Sequence, residues 1–253
     1  MSSVSTALAD SAIMLRRNLK HTLRNPLVLF NAILFPIVLL LMFVKVLGGG
    51  FSVGENYIDY ATPGMLVMAV SYGLGSTATA VNDDMTKGII NRFKAMDISR
   101  GAVLTGQVVV TTARCLVACT AVIGVAFAMG FDPDASPLDW LGVLGLVVLL
   151  TFGASWLTVA LGLAAKTAES AGLATVPLIM LPFLSSAIVP ADTMGAGMRQ
   201  FAEYQPFTPI IETLRGLLAG DPSGGDALAA VAWCLGLALL GYVWAVSTFK
   251  KRA

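Results

Sequence analysis

The residues of this chain that could do chemistry are few, and their spacing does not fit an active site. The segment Gly162–Thr167 superficially resembles a phosphate-binding loop, but it lacks the second glycine before its lysine and follows an apolar stretch rather than a strand. His21 is the only histidine, which excludes most catalytic triads and dyads. Cys115, Cys119 and Cys234 lack the spacing of metal ligands and are predicted to be packing thiols.

The composition is that of a membrane protein. Of the 253 residues, 57% are hydrophobic and 12% are charged, and the mean hydropathy is +0.80. A soluble domain carries roughly a quarter charged residues, so the composition argues against an ordinary soluble enzyme. Sixteen Lys and Arg against fifteen Asp and Glu leave a net charge of +1, without the surplus of cations that a nucleic-acid-binding protein needs. We therefore predict an integral membrane protein that binds no nucleic acid.

Six stretches are apolar for about 20 residues, the length of a membrane-spanning helix. No alternation is long enough for a barrel, so the predicted fold is an all-α membrane protein with six transmembrane helices. Arg114 interrupts the third stretch. Because an arginine that faces hydrocarbon costs about 2.5–3.5 kcal/mol, we expect it to point into the bundle or toward the inner interface. The predicted spans are 26–47, 60–81, 103–130, 140–165, 170–190 and 227–249.

The cations predict the orientation, because cytoplasmic segments carry an excess of Lys and Arg. With the N-terminus inside, twelve cations lie in inner segments and three in outer ones. This split requires an even number of spans and places both termini in the cytoplasm. The outer cations are Lys45, Arg199 and Arg215.

Residues 7–24 have the period of an amphipathic helix, with leucines on one side and cations on the other. Such a helix is expected to lie on the inner membrane surface, where anionic lipids attract its charges. It could be a topology anchor alone, or a lever that joins a cytoplasmic partner to the first span. Its cations are Arg16, Arg17, Lys20 and Arg24.

The longest predicted cytoplasmic loop is 82–100. Asn82 or Asp83 is expected to cap a short helix in this loop. The apolar face of this helix could pack under the bundle or enter a groove on another protein. The face is formed by Ile89, Ile90, Phe93 and Met96.

The outer segment 191–220 is predicted to form a re-entrant hairpin of two short amphipathic helices that packs on the fifth and sixth spans. Pro206 and Pro209 break the chain between the helices. Each helix is expected to bury an apolar stripe and to carry one ion pair, Arg199–Glu203 in the first and Glu212–Arg215 in the second. The stripes consist of Met198, Phe201 and Ala202, and of Ile210, Ile211, Leu214, Leu217 and Leu218.

Small polar residues are concentrated in the second span. They could line a transport path, or they could let neighbouring helices pack closely. These residues are Ser71, Ser76, Thr77 and Thr79.

Three motifs together resemble the type-2 ABC transporter permeases, and in particular the daunorubicin-resistance-type efflux permeases. The resemblance covers essentially the whole chain in the same order. Asp97 stands where many relatives have proline, and Gln205 where they often have asparagine. The motifs are Arg24-Asn25-Pro26 with Leu34-Phe35-Pro36, the loop from Asp83-Asp84 through Gly88 and Arg92 to Ile98-Ser99-Arg100, and Gln205-Pro206-Phe207-Thr208-Pro209 with Arg215-Gly216-Leu217-Leu218.

The resemblance implies a single transmembrane domain over 1–253, a half-transporter that pairs with a second permease copy or a homologous permease in the cell membrane. It implies two cytoplasmic ABC ATPase subunits as partners, so that this chain is not an enzyme, binds no cofactor directly, and depends on ATP and magnesium through the ATPase. Its cargo would be hydrophobic or amphipathic: a drug, a lipid or a lipid-linked glycan.

The resemblance also implies roles for particular residues. Residues 7–24 would be a connecting helix, and the hairpin would be an outer gate that uses Pro206, Pro209, Glu212 and Arg215. The loop 82–100 would hold a coupling helix that docks on the ATPase. Its coupling residues would be Asp83, Asp84, Gly88, Ile89, Ile90, Arg92, Phe93, Met96 and Arg100.

The alternative from another class is an ion-coupled secondary transporter. Such a protein would be expected to show carboxylates inside its spans and two related halves, and the sequence contains neither. A membrane enzyme would need a clustered reactive set, and a scaffold would have no polar path. Co-purification of an ATPase chain separates the exporter from the ion-coupled transporter.

The coupling role of Phe93 can be tested by Phe93→Asp. A charge on the apolar face should prevent docking in a groove of the ATPase, so we expect stimulated ATPase activity to be lost while membrane insertion is unchanged. Normal coupling in this variant would show that the loop is not the docking element.

Overall fold

The computed structural model describes residues 26–48, 56–86, 100–221 and 224–252, and within these ranges the secondary structure is helical. The predicted connecting helix, with Arg16, Arg17, Lys20 and Arg24, lies outside the described residues. So do Gly88, Ile89, Ile90, Arg92, Phe93 and Met96 of the predicted coupling helix.

The long helices are α1 (Pro26–Leu41), which continues as a π-helix over Met42–Leu47, α2 (Tyr57–Thr86), α3 (Arg100–Ala128) and α4 (Pro137–Ala164). Short helices follow: α5 (Ala168–Ala174), α6 (Val176–Met180), 3₁₀ turns at Leu181–Leu184 and Ala191–Thr193, α7 (Ala196–Tyr204) and α8 (Phe207–Leu218). The last helix is α9 (Gly224–Arg252).

The predicted all-α class is confirmed over the described ranges. By length and composition, α2, α3, α4 and α9 can each cross a membrane. The segments 33–46 and 168–184 are apolar but shorter. The apolar stretches of the sequence therefore lie in helices. The helix α4 begins at a capping box formed by Ser136 and Asp139.

The fifth predicted span, 170–190, differs from the single continuous helix that we expected. Its helical path is interrupted at Thr175, whose N–H and hydroxyl turn back to the carbonyl of Gly172. Pro177 and Pro182 follow, each at the start of a new turn. Because proline has no N–H and clashes with the preceding turn, the path becomes α5, α6 and a 3₁₀ turn.

The core of the bundle is built around α2, which contacts α1, α3, α4, α5, α6 and α8. Glycines bring the backbones close: a Cβ on Gly64 of α2 would lie 2.6 Å from the carbonyl oxygen of Ala187. Likewise, a Cβ on Gly153 of α4 would lie 2.6 Å from the carbonyl oxygen of Cys234 on α9. Small residues at these crossings allow apolar helices to pack at short range.

The predicted cap at Asn82 or Asp83 is wrong, because α2 continues without a break to Thr86. Asn82 is fully buried inside α2, and its amide nitrogen donates to the carbonyls of Gly162 and Ala165, at 3.1 and 2.8 Å. These carbonyls belong to the end of α4, where the helix leaves acceptors unused. Asn82 therefore joins α2 to the end of α4 instead of starting a new helix.

The packing of α4 on α9 can be tested at two glycines of α4. We expect Gly153→Ala to lower the free energy of unfolding by about 1–3 kcal/mol, because its methyl group would be forced against α9. Gly145→Ala is the matched control, since nothing lies within 4 Å of its added Cβ. Chemical denaturation of the purified protein measures both, and an equal effect of the two substitutions would contradict this packing.

Candidate functional site at the outer end of the bundle

One face of α2 holds an irregular segment of the chain at the end of the bundle that the sequence predicts to be outer. Tyr57, Tyr60 and Gly64 fall at i, i+3 and i+7, so they share a face. The Tyr60 hydroxyl donates to the carbonyl of Ser186 at 2.8 Å, and the Tyr57 hydroxyl to that of Ile188 at 3.0 Å. These carbonyls lie beyond the last helical turn of the broken fifth segment, so the tyrosines satisfy acceptors that a helix would otherwise have used.

Arg215 of α8 completes this arrangement. Its guanidinium donates to the carbonyl of Ser186 at 2.9 Å and to that of Tyr60 at 3.3 Å, and it pairs with Glu212 one turn earlier. The carbon Cζ lies 3.8 Å from the centre of the Tyr60 ring, within the range of a cation–π contact. The side chain of Arg215 is 18% exposed. We call Tyr57, Tyr60, Ser186, Glu212 and Arg215 the outer cluster.

The position of Arg215 follows from the amphipathic pattern of α8. The helix begins at Phe207, so Pro209 lies in its first turn and needs no N–H partner there, while Pro206 precedes the helix. The predicted stripe is confirmed at four buried residues and is partly buried at Leu217. This stripe packs on α2, α4 and α9 and on the turn Leu181–Leu184. The sequence predicted contacts with the fifth and sixth spans only, so the observed contact includes two further helices, α2 and α4. The buried members are Ile210, Ile211, Leu214 and Leu218.

The first helix of the hairpin, α7, differs from the prediction. Ala202 is buried, but the side chains of Met198 and Phe201 are each 45% exposed. The helix is only nine residues long and touches few other elements, so it covers one small residue and leaves the larger ones at the surface. The predicted ion pair Arg199–Glu203 is present at 2.7 Å on the exposed side.

A cleft of about 530 Å³ opens beside the outer cluster. Tyr60 and Phe131 supply aromatic walls, and Arg215 lies at its edge. Three aspartates make the cleft acidic, and the backbone N–H of Asp132 donates to the carboxylate of Asp59 at 3.3 Å. In the described ranges, no group of three or more His, Cys, Asp or Glu residues is placed to hold a metal ion. The cleft has the size of a small-molecule site and joins α8 to the loop between α3 and α4.

The other polar residues singled out in the sequence lie deeper or at the opposite end. Arg114 lies between α3 and α2, as expected, and donates to the carbonyl of Gly73 at 2.6 Å. Thr77 is buried and faces Thr111 of α3, their hydroxyl oxygens 3.0 Å apart, which favours close helix packing at this position. Asp83 and Asp84 lie on the last turns of α2, and Arg100 begins α3.

The sequence analysis did not identify Tyr57, Tyr60 or Ser186 as site residues. A signal was available at Tyr57 and Tyr60, because two phenols one turn apart at the start of an apolar helix predict hydrogen-bond donors near a membrane surface. No sequence pattern pointed to Ser186, because it takes part through its backbone carbonyl. That carbonyl is free to accept hydrogen bonds from side chains because the helical path of the fifth segment is broken.

We expect Arg215→Met to lower the free energy of unfolding by about 2–3 kcal/mol, because it removes charged hydrogen bonds to two main-chain carbonyls. Arg199→Met removes an ion pair whose side chains are 51% and 42% exposed, so it should cost under about 1 kcal/mol. Denaturation of the two purified variants makes the comparison. Equal losses would show that the outer cluster contributes no more than a surface ion pair.

Comparison with known proteins agrees with this architecture. The family model of the ABC-2 type transporter matches residues 11–219. The daunorubicin resistance ABC transporter permease protein DrrB1 of Streptomyces coeruleorubidus is 28% identical over 247 residues, which cover 97% of this chain and 84% of the relative. Members of this family are multi-pass transmembrane subunits that work with separate ATPase subunits. With its apolar helices and a match over most of its length, this chain belongs to the ABC-2 type transporter family.

Proposed function

We propose that this chain is the permease subunit of an ATP-driven exporter in the cell membrane, with both termini in the cytoplasm. It works with two cytoplasmic ATPase subunits and with a second permease, either an identical copy or a homologue. The chain itself does no chemistry, and it depends on ATP and magnesium through the ATPase. The family match supports this function, and the excess of cations in the predicted inner segments supports the orientation.

The proposed cargo is a hydrophobic or amphipathic molecule. The name of the relative from Streptomyces coeruleorubidus refers to daunorubicin resistance, which favours a drug among the candidate classes. A lipid and a lipid-linked glycan are the other two classes. The cleft of about 530 Å³, with aromatic and acidic walls, is large enough to hold part of such a molecule on its way out.

The observation that carries the proposed mechanism is the set of contacts made by Arg215. This one side chain joins α8 to the first turn of α2 and to the irregular segment at Ser186. We propose that these bonds close the outer end of the transport path, and that the hairpin over 191–220 is the gate. Pro206 and Pro209 define the start of α8, and Glu212 orients the guanidinium. A gate made of polar contacts can open without exposing a large apolar surface.

The proposed link from the ATPase to this gate is α2. Its 30 residues form one continuous helix, about 45 Å long at 1.5 Å per residue. The outer end carries Tyr57 and Tyr60 of the outer cluster, and the inner end carries Asp83 and Asp84 at the start of the proposed coupling loop. Because Asn82 also binds the end of α4, a movement of the loop would be transmitted to two long helices together. Closure of the ATPases would then shift α2 and break the contacts of Arg215.

A disulfide across the cleft tests the gate. A Cβ on Gly220, directly after α8, would lie 3.7 Å from the Cβ of Asp134 in the loop between α3 and α4, within the range of a disulfide. We expect Gly220→Cys/Asp134→Cys, once oxidised, to stop transport by the reconstituted complex while ATP binding is unchanged. Reduction should restore transport.

The two single-cysteine variants are the controls, and Gly220→Cys alone is needed because Gly220 has φ +72°, which disfavours a side chain. The native cysteines 115, 119 and 234 are buried and should not interfere. Full transport with the crosslink formed would show that the hairpin is a static lid.

A further inference from the structure

Arg114 carries a charge in the middle of the bundle. It lies halfway along α3, about 21 Å from either end at 1.5 Å per residue. Its partner Gly73 is close to the middle of α2, so the guanidinium lies far from the ends of both helices. An intramembrane arginine is costly, and where one persists it usually has a functional reason.

The bonds that the structure gives Arg114 are to neutral groups only. One terminal nitrogen donates to the carbonyl of Gly73 at 2.6 Å and to the hydroxyl of Thr77 at 2.9 Å. The Nε atom is buried and has no hydrogen-bond partner. Arginine has five N–H groups in a planar fork, so a large part of its donor capacity is not used by these two acceptors.

Among the described residues, no carboxylate forms an ion pair with Arg114. The sequence explains why: it contains no Asp or Glu between Tyr60 and Asn82 of α2 or anywhere in α3. Neutral acceptors stabilise the N–H groups, but they do not neutralise the charge.

The guanidinium nitrogen that remains free is Nη1, which is neither hydrogen-bonded nor fully buried. The helices α2 and α3 are in close contact at this level, since a Cβ on Gly73 would lie 2.7 Å from the sulfur of Cys115. There is no room for a ligand between them. Ala113 and Val117, the neighbours of Arg114 on α3, are exposed, and Arg114 itself is only partly buried. A molecule can therefore approach along this face of α3.

We propose that Arg114 is a binding site for an anionic group, a phosphate or a carboxylate carried by an amphipathic molecule. Such groups accept charge-assisted hydrogen bonds from a guanidinium and supply the missing negative charge. Gly73 and Thr77 hold the guanidinium in place through Nη2, and Nη1 donates to the anion. The anion belongs either to a membrane lipid or to a molecule in transit. This site does not depend on the proposed transport cycle, because binding can be measured without ATP.

The test uses the purified full-length chain in dodecyl maltoside, with dodecyl phosphate as the probe and dodecyltrimethylammonium as the comparison. We expect saturable binding of the phosphate, at least tenfold weaker binding in Arg114→Gln, and no comparable binding of the cation. Lys45→Gln is the matched control: it removes an exposed cation near the end of the first helical segment and should leave the Arg114-dependent affinity unchanged.

Equal affinity of the wild type and Arg114→Gln for dodecyl phosphate would overturn the proposal, as would the absence of saturable binding to the wild type. If Arg114→Gln does not give folded protein, Arg114→Lys takes its place. An ammonium keeps the charge but lacks the planar fork that bonds Gly73, Thr77 and the anion at the same time, so we expect several-fold weaker binding. Unchanged affinity in the lysine variant would then overturn the proposal.

The source of the anion is determined by the lipid that remains after purification. Anionic lipid retained by the wild type and lost from the Arg114 variant would identify a lipid headgroup. A wild type that retains no such lipid and still binds dodecyl phosphate would indicate a molecule in transit. Both results support an anion site, and they assign it to different ligands.

Discussion

Hydrocarbon offers no hydrogen-bond partners, so polar groups inside this bundle are stabilised mainly by partners within the protein. Three polar side chains in the bundle are stabilised in the same way, by donating hydrogen bonds to main-chain carbonyls. Arg215 donates to Tyr60 and Ser186 at the outer end of α2, and Arg114 donates to Gly73 near its middle. Asn82, at the inner end of α2, donates to the end of α4. The central helix is therefore fixed to its neighbours at three levels.

The broken fifth segment creates the need for the outer cluster. Where helices end and a proline-containing path begins, carbonyls lose their helical donors, and burial makes such losses costly. The hydroxyl groups of Tyr57 and Tyr60 and the guanidinium of Arg215 supply donors for these carbonyls from two other helices. The result is a compact polar contact between α2, α8 and the chain at Ser186, and this is the contact that we propose as the gate.

The long, uninterrupted α2 gives the proposed transport cycle a physical basis. A helix is stiff along its axis, so in the proposed cycle a displacement at Asn82 would also move Tyr60 at the other end of α2. Glycine contacts keep the neighbouring backbones close to this helix, as at Gly64 and Ala187, and make the packing sensitive to small shifts.

The sequence by itself determined the class of the protein and the places of its long helices. Apolar runs of about 20 residues are typical of membrane helices, and four of them form helices of that length in the described ranges. The period of the stripe in α8 specified both a helix and its buried face. The ion pairs of the hairpin followed from their i, i+3 and i, i+4 spacing. These are local properties, which depend on residues close together in the chain.

The tertiary structure alone decided which distant groups meet. Asn82 is of a residue type that often caps helices. In the structure its side chain instead donates to the carbonyls of Gly162 and Ala165 at the end of α4, because these groups lie beside it. Met198 and Phe201 have the pattern of a buried stripe, yet α7 is too short and too peripheral to cover them. In the outer cluster, the hydroxyl of Tyr60 and the guanidinium of Arg215 both bind the backbone carbonyl of Ser186, which lies 126 positions from Tyr60 and 29 from Arg215. Every residue carries such a carbonyl, so only the fold determines which one is left to bind.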